Sequence, residues 1–292
     1  MLAIVTGANS GMGKATAAAL ADKGYEVIML CRSARRGRDA FRALKQEKIE
    51  RKLHLMICDL GSYTSIKRFV KAFSEKYERL DVLVNNAGFI SLDRQFTQEG
   101  VERQFGINHL GHFLLTNLLV PYMGEGSRIV VVASGAHKIG KIHFDDINLK
   151  KGFNVVEAYS QSKLANVLFT RDMAKRLAAK GITVNCCHPG AVATNIGISR
   201  DTGFGKTVTG ALKPFFQSPE QGAETAVFLA SDASVSDISG EYFYKCQIAK
   251  SSKQSKDAEL AERLFKLSSQ MTGLQYPRVS AMNTGRMVNI QI

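Results

Sequence analysis

The run Leu2-Ala3-Ile4-Val5-Thr6-Gly7-Ala8-Asn9-Ser10-Gly11-Met12-Gly13-Lys14 decides the fold. Its apolar first half has the composition of a buried strand, and the alanine-rich stretch after Gly13 has that of a helix. Between them, glycines at 7, 11 and 13 allow a tight turn, close approach of the backbone to a pyrophosphate and close packing of helix on strand. A helix starting there presents free N–H groups and a partial positive charge to that anion. Glycines in a turn alone would say little. A strand before and a helix after make Gly7, Asn9, Ser10, Gly11, Met12, Gly13 and Lys14 candidate cofactor contacts.

Working outward, apolar runs and helix-like segments alternate along the 292 residues. Strands are expected over 2–6, 26–31, 52–58, 82–85, 128–133 and 183–187, with a seventh near 241–245. Helices are expected over 13–23, 36–48, 64–77, 101–123, 155–180 and 219–230. No linker separates two compositions, and no solenoid-type repeat occurs. The pattern predicts an α/β chain: one doubly wound Rossmann domain over 1–292, with a parallel sheet of about seven strands and helices on both faces.

Hydrophobic residues make up 45% and charged residues 22%, a globular mixture that excludes disordered and collagen-like classes. The longest apolar runs, such as 129–133, fall far short of the ~18 residues a membrane-crossing helix needs, so no integral span is expected. The N-terminus enters a strand-like run at once, without the parts of a secretory leader. Five cysteines (Cys31, Cys58, Cys186, Cys187 and Cys246) form an odd set without C-x-x-C, which fits buried free thiols in a reducing, cytoplasmic setting. His109 and His112, three apart, lack a third ligand and read as packing; no metal is expected.

Lys plus Arg exceed Asp plus Glu by 13, and nine basic residues between Arg32 and Lys52 face only three acidic ones. No zinc finger, aromatic RNA platform or glycine-lysine clamp accompanies them, so a solvated helix face is the reading and no nucleic acid is expected. Peripheral membrane contact and a homodimer stay open. The segment 256–271, with Leu260, Leu264, Phe265 and Leu267 at helical spacing, should dock on the core or a subunit interface.

The second strand ends Leu30-Cys31-Arg32, not in an acid that would accept from a ribose 2′-hydroxyl. Arg32 and Lys14 then read as partners of a 2′-phosphate and favour NADP(H), the alternative being that both belong to the basic surface. Asp59, followed by Leu60, stands after the third strand where a carboxylate could accept from an adenine amino group. Asn86, Ala87 and Gly88 close the fourth strand where a loop can lie over the cofactor.

Tyr159 and Lys163 are four apart, on one face of a helix. A nearby ammonium stabilises phenolate, which would let Tyr159 act as general acid in carbonyl reduction or as base in alcohol oxidation. Ser134 follows an apolar strand, so its hydroxyl should emerge at the sheet's carboxyl end to hold a substrate oxygen. Asn108 is read in two ways, as the anchor of a proton-returning water or as a buried amide joining helix backbone. Two insertions, 135–154 and 191–218, fall at strand ends where ligands bind, and the second, glycine-rich and apolar, reads as a substrate lid rather than a passive loop.

Together, Thr6 to Gly13 (T-G-x-x-x-G-x-G), Asn85 to Gly88, Asn108, Ser134, Tyr159-x-x-x-Lys163 and Pro189-Gly190 resemble the short-chain dehydrogenase/reductase family over residues 1 to about 273. Cys31-Arg32, Asn108-His109-Leu110-Gly111-His112-Phe113 and His188-Pro189-Gly190 resemble its retinol dehydrogenase-like, NADP(H)-preferring branch. The resemblance implies hydride transfer between nicotinamide and a carbonyl or alcohol of a lipophilic small molecule. It also implies that Lys163 binds the nicotinamide ribose, that Pro189-Gly190 flanks the nicotinamide amide, and that Thr194 adds a cofactor hydrogen bond. Reduction of a conjugated ring or double bond, and a weakly active nucleotide-sensing regulator, are the alternatives. The tail from about 274 to 292 is unassigned.

Overall fold

The computed structural model describes residues 1–190 and 217–274. The 191–216 part of the expected lid, Thr194 within it, and the tail from 275 lie outside the described residues. In chain order the elements are β1 (Leu2–Thr6), α1 (Gly11–Asp22), β2 (Glu26–Cys31), α2 (Ala34–Glu47), β3 (Leu53–Ile57), α3 (Tyr63–Ser74), β4 (Val82–Asn85), α4 (Arg103–Phe105), α5 (His112–Leu119), β5 (Arg128–Val132), α6 (Val155–Leu177), β6 (Thr183–Cys187), α7 (Pro219–Ser231), β7 (Tyr242–Tyr244), β8 (Gln247–Ile248) and α8 (Ala258–Thr272).

The strands form one sheet in the order β3-β2-β1-β4-β5-β6-β7-β8. Neighbours are parallel from β3 through β7, and β8 returns antiparallel to β7. The sheet thus has eight strands, not about seven. Two exposed residues at its edge carry no alternation to read; what makes them a strand is the turn through Lys245 and Cys246, both at positive φ, which sets Gln247 opposite Tyr244. The order reverses beside β1, which has β2 on one side and β4 on the other. Ligands of open α/β sheets bind at the carboxyl ends of strands at such a switch point.

Both faces of the sheet are covered, so its strands read as unbroken apolar runs. Alternation divides them: Ile129, Val131 and Cys186 face one core with Phe73 and Phe113, and Val130, Val132 and Cys187 face the other with Leu20 and Leu229. The four strand-associated cysteines are buried and unpaired; Cys246 is half-buried. Helix α8 docks on the core, placing Ala261 and Leu264 against Leu164 and Leu168 of α6.

The helix expected over 101–123 is broken. After α4 comes a π-helical stretch, Gly106–Gly111, then α5, then a single 3-10 turn, Val120–Tyr122, with Pro121 near its start. Packing explains the widened turn: a Cβ on Gly111 would lie 2.3 Å from the carbonyl oxygen of Leu60. Only a glycine lets the helix pass the β3–α3 loop at that distance. Apolar periodicity does not register such a change of pitch.

Candidate active site

The nucleotide end is built from backbone. Gly7 has φ +69°, and a Cβ on Gly13 would lie 2.4 Å from the Gly7 carbonyl oxygen, so α1 starts hard against the turn. Ser10, the N-cap of α1, makes no side-chain cap bond. The N–H groups of Gly11, Met12 and Gly13 have no intrahelical acceptor, and nothing from Ser10 serves them. The Met12 side chain is buried in the core, so Met12 offers its backbone only. Asn9 reaches the Ser10 hydroxyl at 3.4 Å.

Beside this turn, the Thr6 hydroxyl accepts from the N–H groups of Asn86 (2.8 Å) and Ala87 (2.9 Å), while Asn86 Nδ2 donates to the Thr6 carbonyl at 2.7 Å. The loop after β4 is thereby fastened to the end of β1, and Gly88 faces open space. Asp59 Oδ1 accepts from the N–H of Gly61 at 2.9 Å, and Leu60 is buried behind it. Arg32 is exposed at the end of β2 with no ion pair among the described residues. Lys14 lies 3.4 Å from Glu47 of α2, a partly exposed ion pair between the two helices. A hollow of about 580 Å³ lies between α1 and α7, lined by Lys14, Ala18, Asp22, Ala223 and Phe228, and no catalytic candidate borders it.

The catalytic end is built from side chains. Asn154 caps α6 by accepting from the N–H groups of Val156 and Glu157, and one turn on the helix presents half-buried Tyr159 and fully buried Lys163. Lys163 Nζ donates to the Val132 carbonyl of β5 at 3.0 Å and lies 5.6 Å from the Tyr159 ring centre. Ser134, two residues on, begins a short 3-10 turn, and its Oγ accepts from the N–H of Ala136 at 3.2 Å. Its O–H is left to donate toward the Tyr159 phenol.

Burial pushes the Tyr159 phenol up from its ordinary value, and a hydrogen bond with Ser134 offsets part of that. Burial also lowers the Lys163 ammonium to about 8. Burial thus outweighs the pull of the nearby Lys163 ammonium on the phenol of the unloaded protein. Tyr159 is therefore neutral at physiological pH, the form a proton donor needs.

Of the two readings of Asn108, the buried amide is the one seen. Its Oδ1 accepts from the N–H of Phe89 at 2.7 Å, and its Nδ2 donates to the Phe89 carbonyl and to Ser162 Oγ, both at 3.0 Å. Oδ1 keeps a second lone pair beyond these bonds, so the structural role is compatible with anchoring a water. Ser162 Oγ in turn donates to the Tyr159 carbonyl at 2.7 Å. At the other wall, Gly190 N donates to His188 Nδ1 at 3.1 Å, and the His188 ring stacks on Tyr244 at 4.6 Å, which holds the Pro189-Gly190 turn against the end of β7.

Sequence reasoning missed two buried histidines that steady this constellation. His137 Nδ1 donates to the Ser134 carbonyl at 2.7 Å and its Nε2 accepts from the N–H of Ser252 at 3.2 Å. His112 lies 2.9 Å from Thr6 Oγ1 and 3.1 Å from the Asn108 carbonyl. The four-residue spacing of Asn108 and His112 was the available signal, but Ser252 and Thr6 come from far along the chain.

A family model described as short chain dehydrogenase matches residues 1–203. Retinol dehydrogenase 14 of Homo sapiens is 41% identical over 93% of this chain and 86% of its own length. Retinol dehydrogenase 13 of Homo sapiens is 41% identical over 94% and 86%. Among solved structures, an uncharacterized protein from Mycobacterium paratuberculosis superposes with TM-score 0.76 at 33% identity, covering 94% of each chain. A blue fluorescent protein from a metagenomic library, in complex with NADPH, superposes with TM-score 0.66 at 26% identity over 83% of this chain and 94% of that one. A nucleotide turn at the switch point of a parallel sheet, faced by Ser134, Tyr159 and Lys163, is the arrangement such relatives would share, and the chain belongs to the short-chain dehydrogenase/reductase family of oxidoreductases, with a retinol dehydrogenase-like sequence.

Proposed function

We propose that the protein, read as one Rossmann domain over 1–292, transfers a hydride between NADP(H) and a carbonyl or alcohol carbon of a lipophilic small molecule. The convergence of Ser134, Tyr159 and Lys163 after β5, in the sheet whose β1 runs into the uncapped start of α1, carries this reading. The uncapped first turn of α1 suits a pyrophosphate, and the exposed, unpaired guanidinium of Arg32 suits a 2′-phosphate. Asp59, Leu60, Asn86, Ala87 and Gly88 would border the adenosine and ribose, with Pro189, Gly190, Tyr159 and Lys163 around the nicotinamide end. NADP-complexed neighbours support a nicotinamide cofactor, as in the NADPH-bound metagenomic protein.

A bound nicotinamide supplies the hydride in reduction and receives it in oxidation. In reduction Tyr159 gives its phenolic proton to the substrate oxygen as the carbon gains the hydride; in oxidation the phenolate takes that proton back. Ser134 donates its hydroxyl hydrogen to the same oxygen, while the N–H of Ala136 donates to its Oγ and orients it. The buried ammonium of Lys163 supports the negative charge left on Tyr159 until a proton returns. A lipophilic substrate is proposed on the likeness to retinol dehydrogenases.

The test is fluorescence titration with NADPH and NADH, followed by cofactor oxidation against retinal, steroid, quinone and aliphatic carbonyl compounds. We expect tighter NADPH binding and turnover of one class. Tyr159→Phe should bind NADPH within about threefold of the parent and lose at least about a hundredfold in kcat. Turnover retained in that variant would overturn the role given to Tyr159.

A further inference from the structure

We infer that His112 is a positioning residue whose imidazole, with its proton on Nδ1, holds the cofactor loop after β4 and the catalytic helices in one register. The inference rests on the oxidoreductase reading above and adds to it a residue that touches neither substrate nor cofactor.

The direction of each hydrogen bond follows from what the partners can do. The Asn108 carbonyl, 3.1 Å from Nδ1, can only accept, so Nδ1 carries the proton. Burial and the nearby Lys163 ammonium lower the ring to about 4, so it is neutral and Nε2 is bare. Thr6 Oγ1, 2.9 Å away, then donates to Nε2. Its other acceptor in reach, the Val84 carbonyl, is farther at 3.4 Å. The lone pairs of Thr6 Oγ1 are taken by Asn86 and Ala87. Polarity thus runs one way: loop amides to Thr6, Thr6 to His112, His112 to the Asn108 carbonyl. In an unbroken α-helix the His112 N–H would serve that carbonyl, but in the π-helical stretch it bonds to His109 instead. The ring thus bonds the carbonyl that the His112 N–H does not.

The geometry has a functional consequence. The loop is tied at Asn86 and Ala87 through Thr6, and at Phe89 through Asn108, which also reaches Ser162 on the catalytic helix. His112 is the link between the two ties. Its Thr6 arm acts on the loop that borders the cofactor, and its Asn108 arm acts on the turn that steadies Ser162 and, through it, Tyr159.

Three variants separate the arms. His112→Phe removes both, His112→Asn keeps a donor near Nδ1, and His112→Gln keeps an acceptor near Nε2. We expect His112→Phe to lose about a hundredfold in kcat and about tenfold in NADPH affinity. His112→Gln should regain most of the affinity and little of the kcat, and His112→Asn the reverse. A residue that only fills space would move kcat, affinity and Tm together in all three, and that result, or parent-like constants in His112→Phe, overturns the inference. If the variants do not fold, ¹⁵N–¹H NMR of the parent decides: a pyrrole-type Nδ1 and a pyridine-type Nε2 support it, and the Nε2–H form or an imidazolium, either of which leaves Thr6 or Asn108 mismatched, overturns it. A parent that binds no nicotinamide cofactor while showing the Nδ1–H ring would sink the function proposed above and this positioning role with it; a parent that binds and turns over while showing Nε2–H would sink this role alone.

Discussion

The start of α1 and the starts of the other long helices are finished differently. Ser33, Ser62, Asn154, Ser218 and Asp257 each cap their helix with a side-chain oxygen, Ser218 with a reciprocal bond from Gln221. Ser10 does not cap α1. A helix end left without a partner costs stability unless water or a ligand serves it, so the open end marks the place where a ligand is expected. The catalytic end shows the opposite economy. There Asn108, His112 and His137 have their polar atoms engaged within the protein, and the Ser134 O–H and the Tyr159 phenol face the reaction. Open donors bind an anion; satisfied, buried groups hold a proton donor still.

Several measurements would break or sharpen that contrast. The largest effect should come from acid. Burial lowers His109 to about 3 and His112 to about 4, and lowers His137 as well, so each ring is neutral in the fold while the unfolded chain protonates near pH 6.5. A lowered histidine leaves stability intact above about 6.5 and removes it as pH falls toward the folded value. At pH 5.5, His109 and His112 together should cost about 3 kcal/mol relative to pH 7.5, with His137 adding in the same direction. Urea midpoints between those pH values measure it, and a flat profile would mean that the rings are not held neutral.

Next in size is Lys163. An ammonium lowered from 10.5 to about 8 penalises the apo fold by about 3 kcal/mol at neutral pH, a penalty that lifts as pH rises from 8 to 10.5. Lys163→Met should therefore abolish turnover and yet raise the apo melting temperature, by about 5 °C. A lower melting temperature would show that the bond to Val132 outweighs the buried charge. At the nucleotide end, Arg32→Asp should weaken NADPH by about tenfold or more while changing NADH little. Equal losses for the two would place Arg32 on the general basic surface. The smallest effect tests the caps themselves: Ser218→Ala should cost about 1 kcal/mol and Ser10→Ala only a few tenths in the apo protein. Similar losses would mean that Ser10 serves its helix after all.

The two ends also differed in how far they could be read in advance. The nucleotide turn was legible because its chemistry is local: the strand, the glycines and the helix that form it occupy consecutive residues. Tyr159 and Lys163 were legible for the same reason, one helical turn apart, and Ser134 because the strand before it is so clearly apolar. The ion pair of Lys14 with Glu47, 33 residues away, was not legible because the two meet only when α1 and α2 pack. The eighth strand and the π-helical stretch were missed because each depends on a neighbour: Tyr244 for the first, the Leu60 carbonyl for the second.

Periodicity, turn chemistry and spacing determined the doubly wound sheet, the glycine turn between β1 and α1 and the placing of Tyr159 and Lys163 one helical turn apart, since each is written within a few residues of chain. Tertiary structure alone decided which polar groups remain free to act. Asn108 became a strut, His112, read as packing, became a fastener of the cofactor loop, and His137, not singled out in the sequence, a fastener of Ser134, because a buried polar atom takes whichever partner the fold brings within about 3 Å.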